Sequence, residues 1–216
     1  MTSVVSNFSC FLEEEDKDKI DGVVTDEEIR LGLWALKPFK GLGPDRLHAS
    51  FYQHFWPDVK NSICMEIRQI FAQGVVPSYL NEPLISLIPK CQNPESLSNY
   101  RPINLCNSIY KIVSKIIVGH IRPHLSKLIS PVQMAFIPSH RGTDNVLIAQ
   151  ELFYALDRKK GKIGYMAVKL DLEKAYDCLE WSIIHRVLQA FHFPLKLSRI
   201  IMGWVTSSNT KHFHFG

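Results

Sequence analysis

From Ile109 to Ile121 the chain places Ile109, Ile112, Val113, Ile116, Ile117 and Ile121 at intervals of three and four, the spacing of one face of an α-helix. Such a face must be covered, so other elements have to fold against it. Pro123 stops or kinks this helix. Other segments repeat the pattern. Thr25-x-x-Glu28 is a capping box, followed by Ile29, Leu33 and Leu36 at helical spacing. Phe51, Phe55, Val59, Ile63, Ile67, Ile70 and Phe71 predict one long or two short helices up to Gly74. Asp144 or Thr143 could cap a helix carrying Ile148, Leu152, Ala155 and Leu156. Ile184, Val187, Leu188 and Phe191 predict another, with a last one near Leu195–Val205.

Strands are fewer. Leu84–Ile88 is a short apolar run between Pro83 and Pro89, RPINL from Arg101 is a second, and Ile163–Leu170 reads as a buried strand. KGLGPDR from Lys40 and CQNPESLSN from Cys91 are loops by composition, with Pro44 set for a tight turn, and Lys159–Lys162 is a turn. The expected fold class is therefore α+β, helix-rich with a small sheet. Residues 1–24 read as a linker or disordered end, with order beginning at Thr25.

With 46% hydrophobic residues over 216 positions, the chain can bury one sizeable core or supply one domain of a larger protein. Its longest apolar runs are short and broken by charge, so none reads as a membrane span, and the N-terminus lacks the pattern of a secretory signal. The expected setting is intracellular, nuclear or cytoplasmic. Cys10, Cys64, Cys91, Cys106 and Cys178 are odd in number and none share metal-ligand spacing, which argues against a disulfide framework or zinc knuckle. Net charge is +4, but residues 1–30 carry nine acids against three bases, −6, leaving +10 on the rest. A basic body suits a polyanionic partner, although many proteins without one are as basic.

One carboxylate stands out. Asp171 closes the run Tyr165–Leu170, and an ionised acid beside an apolar strand needs a partner, a hydrogen bond or a metal. A helix cap or a lysine partner would serve as well. Tyr176 and Asp177 follow at +5 and +6. Asp177-x-x-Glu180 has the spacing of a helix start, and Tyr176 could equally be core packing.

Several blocks then meet in one order: KGLGPDRLHASFYQHFW, LISLIPK, NYRPINLCNSIYKIVSKII, LISPVQMAFIPSHRGTDNVLIAQE and GYMAVKLDLEKAYDCLEW. Together they resemble the successive blocks of a LINE-type (non-LTR retrotransposon) reverse transcriptase, plant lineages especially, over about Thr25 to Gly216. The resemblance implies the fingers and an incomplete palm of a right-hand polymerase across residues 25–216. It implies RNA-directed DNA synthesis from an RNA template, a DNA primer and deoxynucleoside triphosphates, with two Mg²⁺ ions. Asp171 matches the first metal-binding catalytic Asp, and Leu172 the next position, whose carbonyl can also serve the metal. Tyr176 matches the aromatic beneath the incoming sugar. Arg101 and Lys90 match basic finger residues near the triphosphate, where an Arg fork suits phosphate oxygens; a surface salt bridge is the alternative for Arg101. Gln133, Phe136, Asp144 and Asn145 match template-side positions. Lys111, Lys115, Arg122 and Lys127 lie off the apolar stripe and could track a template backbone or simply be solvated.

The sequence also departs from the pattern. It contains no Asp-Asp pair, and it closes on KHFHFG where the family continues to that motif and to a thumb. Arg46 stands where Gly usually follows Gly-Pro-Asp, Ser139-His140 where Gly-Arg is usual, and Cys178 where Arg often stands. The expectation is a truncated domain, inactive alone, with an incomplete metal site and an uncovered palm edge. The alternative is a non-catalytic remnant that binds nucleic acid.

Overall fold

The computed structural model describes residues 10–138, 140–159, 166–172, 175 and 178–206, and the backbone of 213–214. The core forms where α2 (Asp26–Trp34), α4 (Trp56–Gln73) and α5 (Ser108–Ile121) cross. Each turns one stripe inward: Ile29 and Leu33 from α2, Ile63, Ile67 and Ile70 from α4, and Ile112, Val113, Ile116 and Ile117 from α5. Burying such side chains is worth about 1.5–3 kcal/mol each. Gly32 lets α2 and α5 approach closely, since a Cβ there would meet Ile112 Cγ2 at 3.2 Å.

The helix ends follow local rules. Thr25 caps α2 as its spacing predicts: Thr25 Oγ1 accepts from the Glu28 N–H at 3.2 Å, and Glu28 Oε2 accepts from the Thr25 N–H at 2.8 Å. Burial pushes the Glu28 carboxyl up, but hydrogen bonds from the Thr25 N–H, His120 and the Thr25 hydroxyl outweigh it and hold it below its ordinary value. Of the one or two helices predicted here, the structure has two, α3 (Ala49–His54) and α4, which meet at Phe55, and α4 ends at Gly74, whose left-handed backbone (φ 67°) donates to Ile70.

β1 (Leu84–Pro89) pairs antiparallel with β2 (Tyr100–Leu105), from Leu84 opposite Leu105 to Pro89 opposite Tyr100. β3 (Phe213–His214) lies parallel on the other edge of β1, giving the order β2-β1-β3. α8 (Trp181–Ala190) and α9 (Leu195–Thr206) form a hairpin, with α9 against α4, and bury Phe191, Leu197, Ile200 and Trp204. The Asn81 amide donates to the carbonyls of Gly203 at 3.2 Å and Trp204 at 3.0 Å, which ties the approach to β1 onto α9.

Four expectations change. The described part of the 1–24 stretch is packed rather than a linker: α1 (Glu14–Ile20) forms, and Leu12, Ile20 and Val24 are fully buried. Leu12, Asp16 and Ile20 recur at intervals of four, and the surrounding charge run hides that stripe. Residues 166–170 of the expected buried strand have no regular structure, and Met166 and Leu170 are 84% and 86% exposed. A strand requires a ladder partner, and none of the described residues supplies one; residues 163–165 lie outside the described residues. α7 (Gly142–Arg158) forms where the stripe predicts, but it buries no residue, and its cap is Arg141 rather than Thr143 or Asp144. α8 starts at Trp181 with Glu180 at its cap, later than the Asp177-x-x-Glu180 spacing predicts. No helix among the described residues is long and apolar enough to cross a membrane.

Candidate functional site

The β1–β2 hairpin brings two expected site residues together. Arg101 stands opposite Ile88, and the Lys90 N–H extends the ladder by donating to the Asn99 carbonyl at 2.7 Å. Positions 88 and 90 of one strand share a face with 101 and 99 of the other, so Lys90 and Arg101 are diagonal neighbours on one face. Both are exposed. The Lys90 ammonium also donates to the Ser98 carbonyl at 2.7 Å, which anchors it across the connecting loop. Two cations on one face of a rigid hairpin can hold an anionic, phosphate-bearing group.

Asp171 and Leu172 lie in exposed irregular chain, with Leu172 78% exposed. The carboxylate is not seated at the end of a buried strand, and no hydrogen bond or ion pair joins it to Lys90 or Arg101. Tyr176 and Asp177 lie outside the described residues. Among those described, no three His, Cys, Asp or Glu side chains come together as metal ligands.

The template-side positions fall on two elements. Gln133 sits in the turn after α6 (Leu125–Leu128). Its N–H donates to Ser130 at 3.0 Å, and its carbonyl lies 2.6 Å from His140 Nδ1. Phe136 is 82% exposed and adopts a left-handed backbone (φ 67°), an unusual conformation for a bulky residue. It lines a groove of about 480 Å³ with Val118, Ile121, Arg122, Leu125 and Ile137. Asn145 and Asp144 stand in the first turn of α7, exposed.

The four cations expected along a template separate into different roles. Lys127 is an ion-pair partner of Asp16, and Arg122 belongs to the Phe136 groove. Lys111 and Lys115 share a cleft with Lys37 and Lys40. Sequence reading missed the latter two because they join the cleft from a loop about seventy residues away, and no local spacing marks that.

Residues 88–215 match the family described as reverse transcriptase (RNA-dependent DNA polymerase). The chain is 28% identical over 180 residues to the transposon TX1 uncharacterized 149 kDa protein of Xenopus laevis, a match covering 83% of this chain and 14% of that protein. It is 27% identical over 138 residues to the retrovirus-related Pol polyprotein from type-1 retrotransposable element R2 of Popillia japonica, covering 64% of this chain and 19% of that one. The chain thus spans less than a fifth of the length of either relative.

Proposed function

Because this chain belongs to the reverse transcriptase family, in the branch carried by non-LTR retrotransposons, we propose that residues 25–216 are the fingers and first part of the palm of an RNA-directed DNA polymerase of plant-like lineage. The observation that carries this reading is the shared face of Lys90 and Arg101 on the β1–β2 hairpin. A guanidinium fork beside an ammonium group suits the triphosphate of an incoming deoxynucleotide, since Arg binds two phosphate oxygens in one plane. Tyr176 packs beneath the sugar in this reading, Asp171 and the Leu172 carbonyl face the reacting end, and Gln133, Phe136 and Asn145 lie along the RNA template. The segment around α1 is an integral support of the domain. The protein works inside the cell, on a primer and template.

The family's chemistry uses two Mg²⁺ ions held by clustered carboxylates. The described residues do not fit such a pair: Asp171 is an exposed carboxylate, and no three His, Cys, Asp or Glu side chains gather among them. In this reading the chain grips nucleotide and template, and polymerisation needs more carboxylates than the described residues gather.

Primer extension on an RNA template tests this, comparing the chain alone with the chain joined to the remaining palm and thumb of a relative. The chain alone should not extend the primer. The joined protein should, and Asp171→Asn should abolish it. Extension that survives Asp171→Asn would remove Asp171 from the site.

A further inference from the structure

Lys37, Lys40, Lys111 and Lys115 line one cleft of about 460 Å³, together with Asn104 and Ser108, and among the described residues no acid lines it. Lys37, Lys40 and Lys115 form no ion pair among the described residues. Lys111 reaches across the cleft to donate to the Gly41 carbonyl at 3.0 Å. Four ammonium groups around one concavity repel one another unless an anion sits among them.

One wall of the cleft comes from α5, through Ser108 at its start and Lys111 and Lys115 beyond. The residue at its cap, Asn107, does not cap it. Its Oδ1 accepts instead from the Asp45 N–H at 3.1 Å, and its Nδ2 donates to the Tyr79 carbonyl at 3.4 Å. The first-turn N–H groups of a helix of 14 residues are therefore left without a side-chain acceptor, at the positive end of its dipole. Ser108, the first helical residue, is 3% exposed and lines the cleft, and among the described residues its hydroxyl has no hydrogen-bond partner. Because that hydroxyl opens on the cleft and bonds no described residue, it is available to an acceptor that enters there.

We propose that this cleft is a phosphate-binding site, in which the uncapped turn of α5 and the Ser108 hydroxyl hold phosphate oxygens and the four lysines neutralise the charge. Lys90 and Arg101 are not among the residues that line it. The phosphate can come from a nucleic-acid strand or from a free nucleoside triphosphate. Only the choice of RNA as a probe rests on the polymerase reading; the site itself does not.

Fluorescence anisotropy on the full chain tests it, with a short labelled single-stranded RNA in one arm and a labelled deoxynucleoside triphosphate in the other. Lys37→Gln/Lys115→Gln should weaken RNA binding roughly 25-fold at 0.1 M salt and lower the slope of log K against log salt by about 1.4, two phosphate contacts on a single strand. Ser108→Ala should weaken it about fivefold with no loss of thermal stability, the expectation for a hydroxyl that bonds only the ligand. Lys17→Gln/Lys19→Gln on α1, which makes the same change in charge, should leave both parameters near wild type. Loss confined to the triphosphate arm also supports the site and identifies its occupant as the free nucleotide. Wild-type binding of both probes by the cleft variants, or losses no larger than in the α1 control, overturns it. Failure of primer extension by the joined protein leaves this result unaffected, because binding is read at equilibrium without synthesis.

Discussion

Lys127 holds both carboxylate oxygens of Asp16, at 2.9 and 3.0 Å, across 111 residues of chain. Asp16 is 4% exposed and also lies 3.0 Å from His124 Nδ1. The pair docks α1 onto the region following α5, and Leu12 adds a 3.0 Å backbone bond to the Phe191 carbonyl. Asp16→Ala leaves this buried side of Lys127 and His124 unpaired, so we expect a lower melting temperature and faster proteolytic cleavage within residues 10–24. Proteolysis no faster than wild type would show that α1 is held by Leu12, Ile20 and Val24 alone.

The same pair has a defined pH dependence. The Lys127 hydrogen bond, acting against burial, holds the Asp16 carboxyl below its ordinary value of 3.8. A carboxylate with a depressed folded pKa binds fewer protons folded than unfolded, so its stabilisation is complete above about pH 3.8 and is lost as pH falls through the lower folded value. The stability difference between wild type and Asp16→Asn should therefore be constant above that pH and shrink below it. Urea titrations at a series of acidic pH values measure this, and a difference that grows on acidification would contradict it.

Arg46 adopts φ 55°, in the left-handed region, at the end of the turn in which its N–H donates to Gly43 at 3.0 Å. Glycine enters that region freely, whereas a side chain costs about 1–2 kcal/mol there. Arg46→Gly should raise unfolding free energy by about 1 kcal/mol, read as a higher urea midpoint with unchanged slope. The resemblance noted in the sequence, in which Gly usually follows Gly-Pro-Asp, thus has a backbone reason.

What could be read in advance divides by distance along the chain. The α2 cap and the α5 stripe are local patterns, and the structure has them where spacing puts them. Lys90 and Arg101 each stand out in the sequence, but their shared face depends on hairpin register. The role of Asp16 depends on residues more than a hundred positions away, so a charge run concealed a buried stripe. Residues 166–170 have the composition of a strand, yet composition supplies no pairing partner. The α7 stripe forms its helix and stays exposed, because periodicity states which face is apolar and not what covers it.

That contrast gives a paired test of where the core lies. Ile67 is fully buried at the crossing of the core helices, whereas Leu152 on α7 is 60% exposed. Ile67→Ala should cost about 2–5 kcal/mol through lost burial and the cavity left behind. Leu152→Ala should stay within about 0.5 kcal/mol in the isolated chain. Equal effects would mean that α7 is covered in solution.

Arg101 and Asp171 should separate binding from chemistry in the joined polymerase described above. Arg101→Lys keeps the charge but loses the planar fork, so it should raise KM for the deoxynucleotide roughly tenfold, the loss of one charge-assisted hydrogen bond, with little change in kcat. Asp171→Asn should leave KM within a small factor and lower kcat at least about a thousandfold, because the group acts as part of a joint unit in the reacting state. Asp171 is exposed and unpaired with either cation, so the same change in the isolated chain should move the urea midpoint by no more than about 0.5 kcal/mol equivalent. Steady-state extension rates against nucleotide concentration measure the split. If Arg101→Lys lowers kcat and leaves KM unchanged, the hairpin face is not where the triphosphate is gripped.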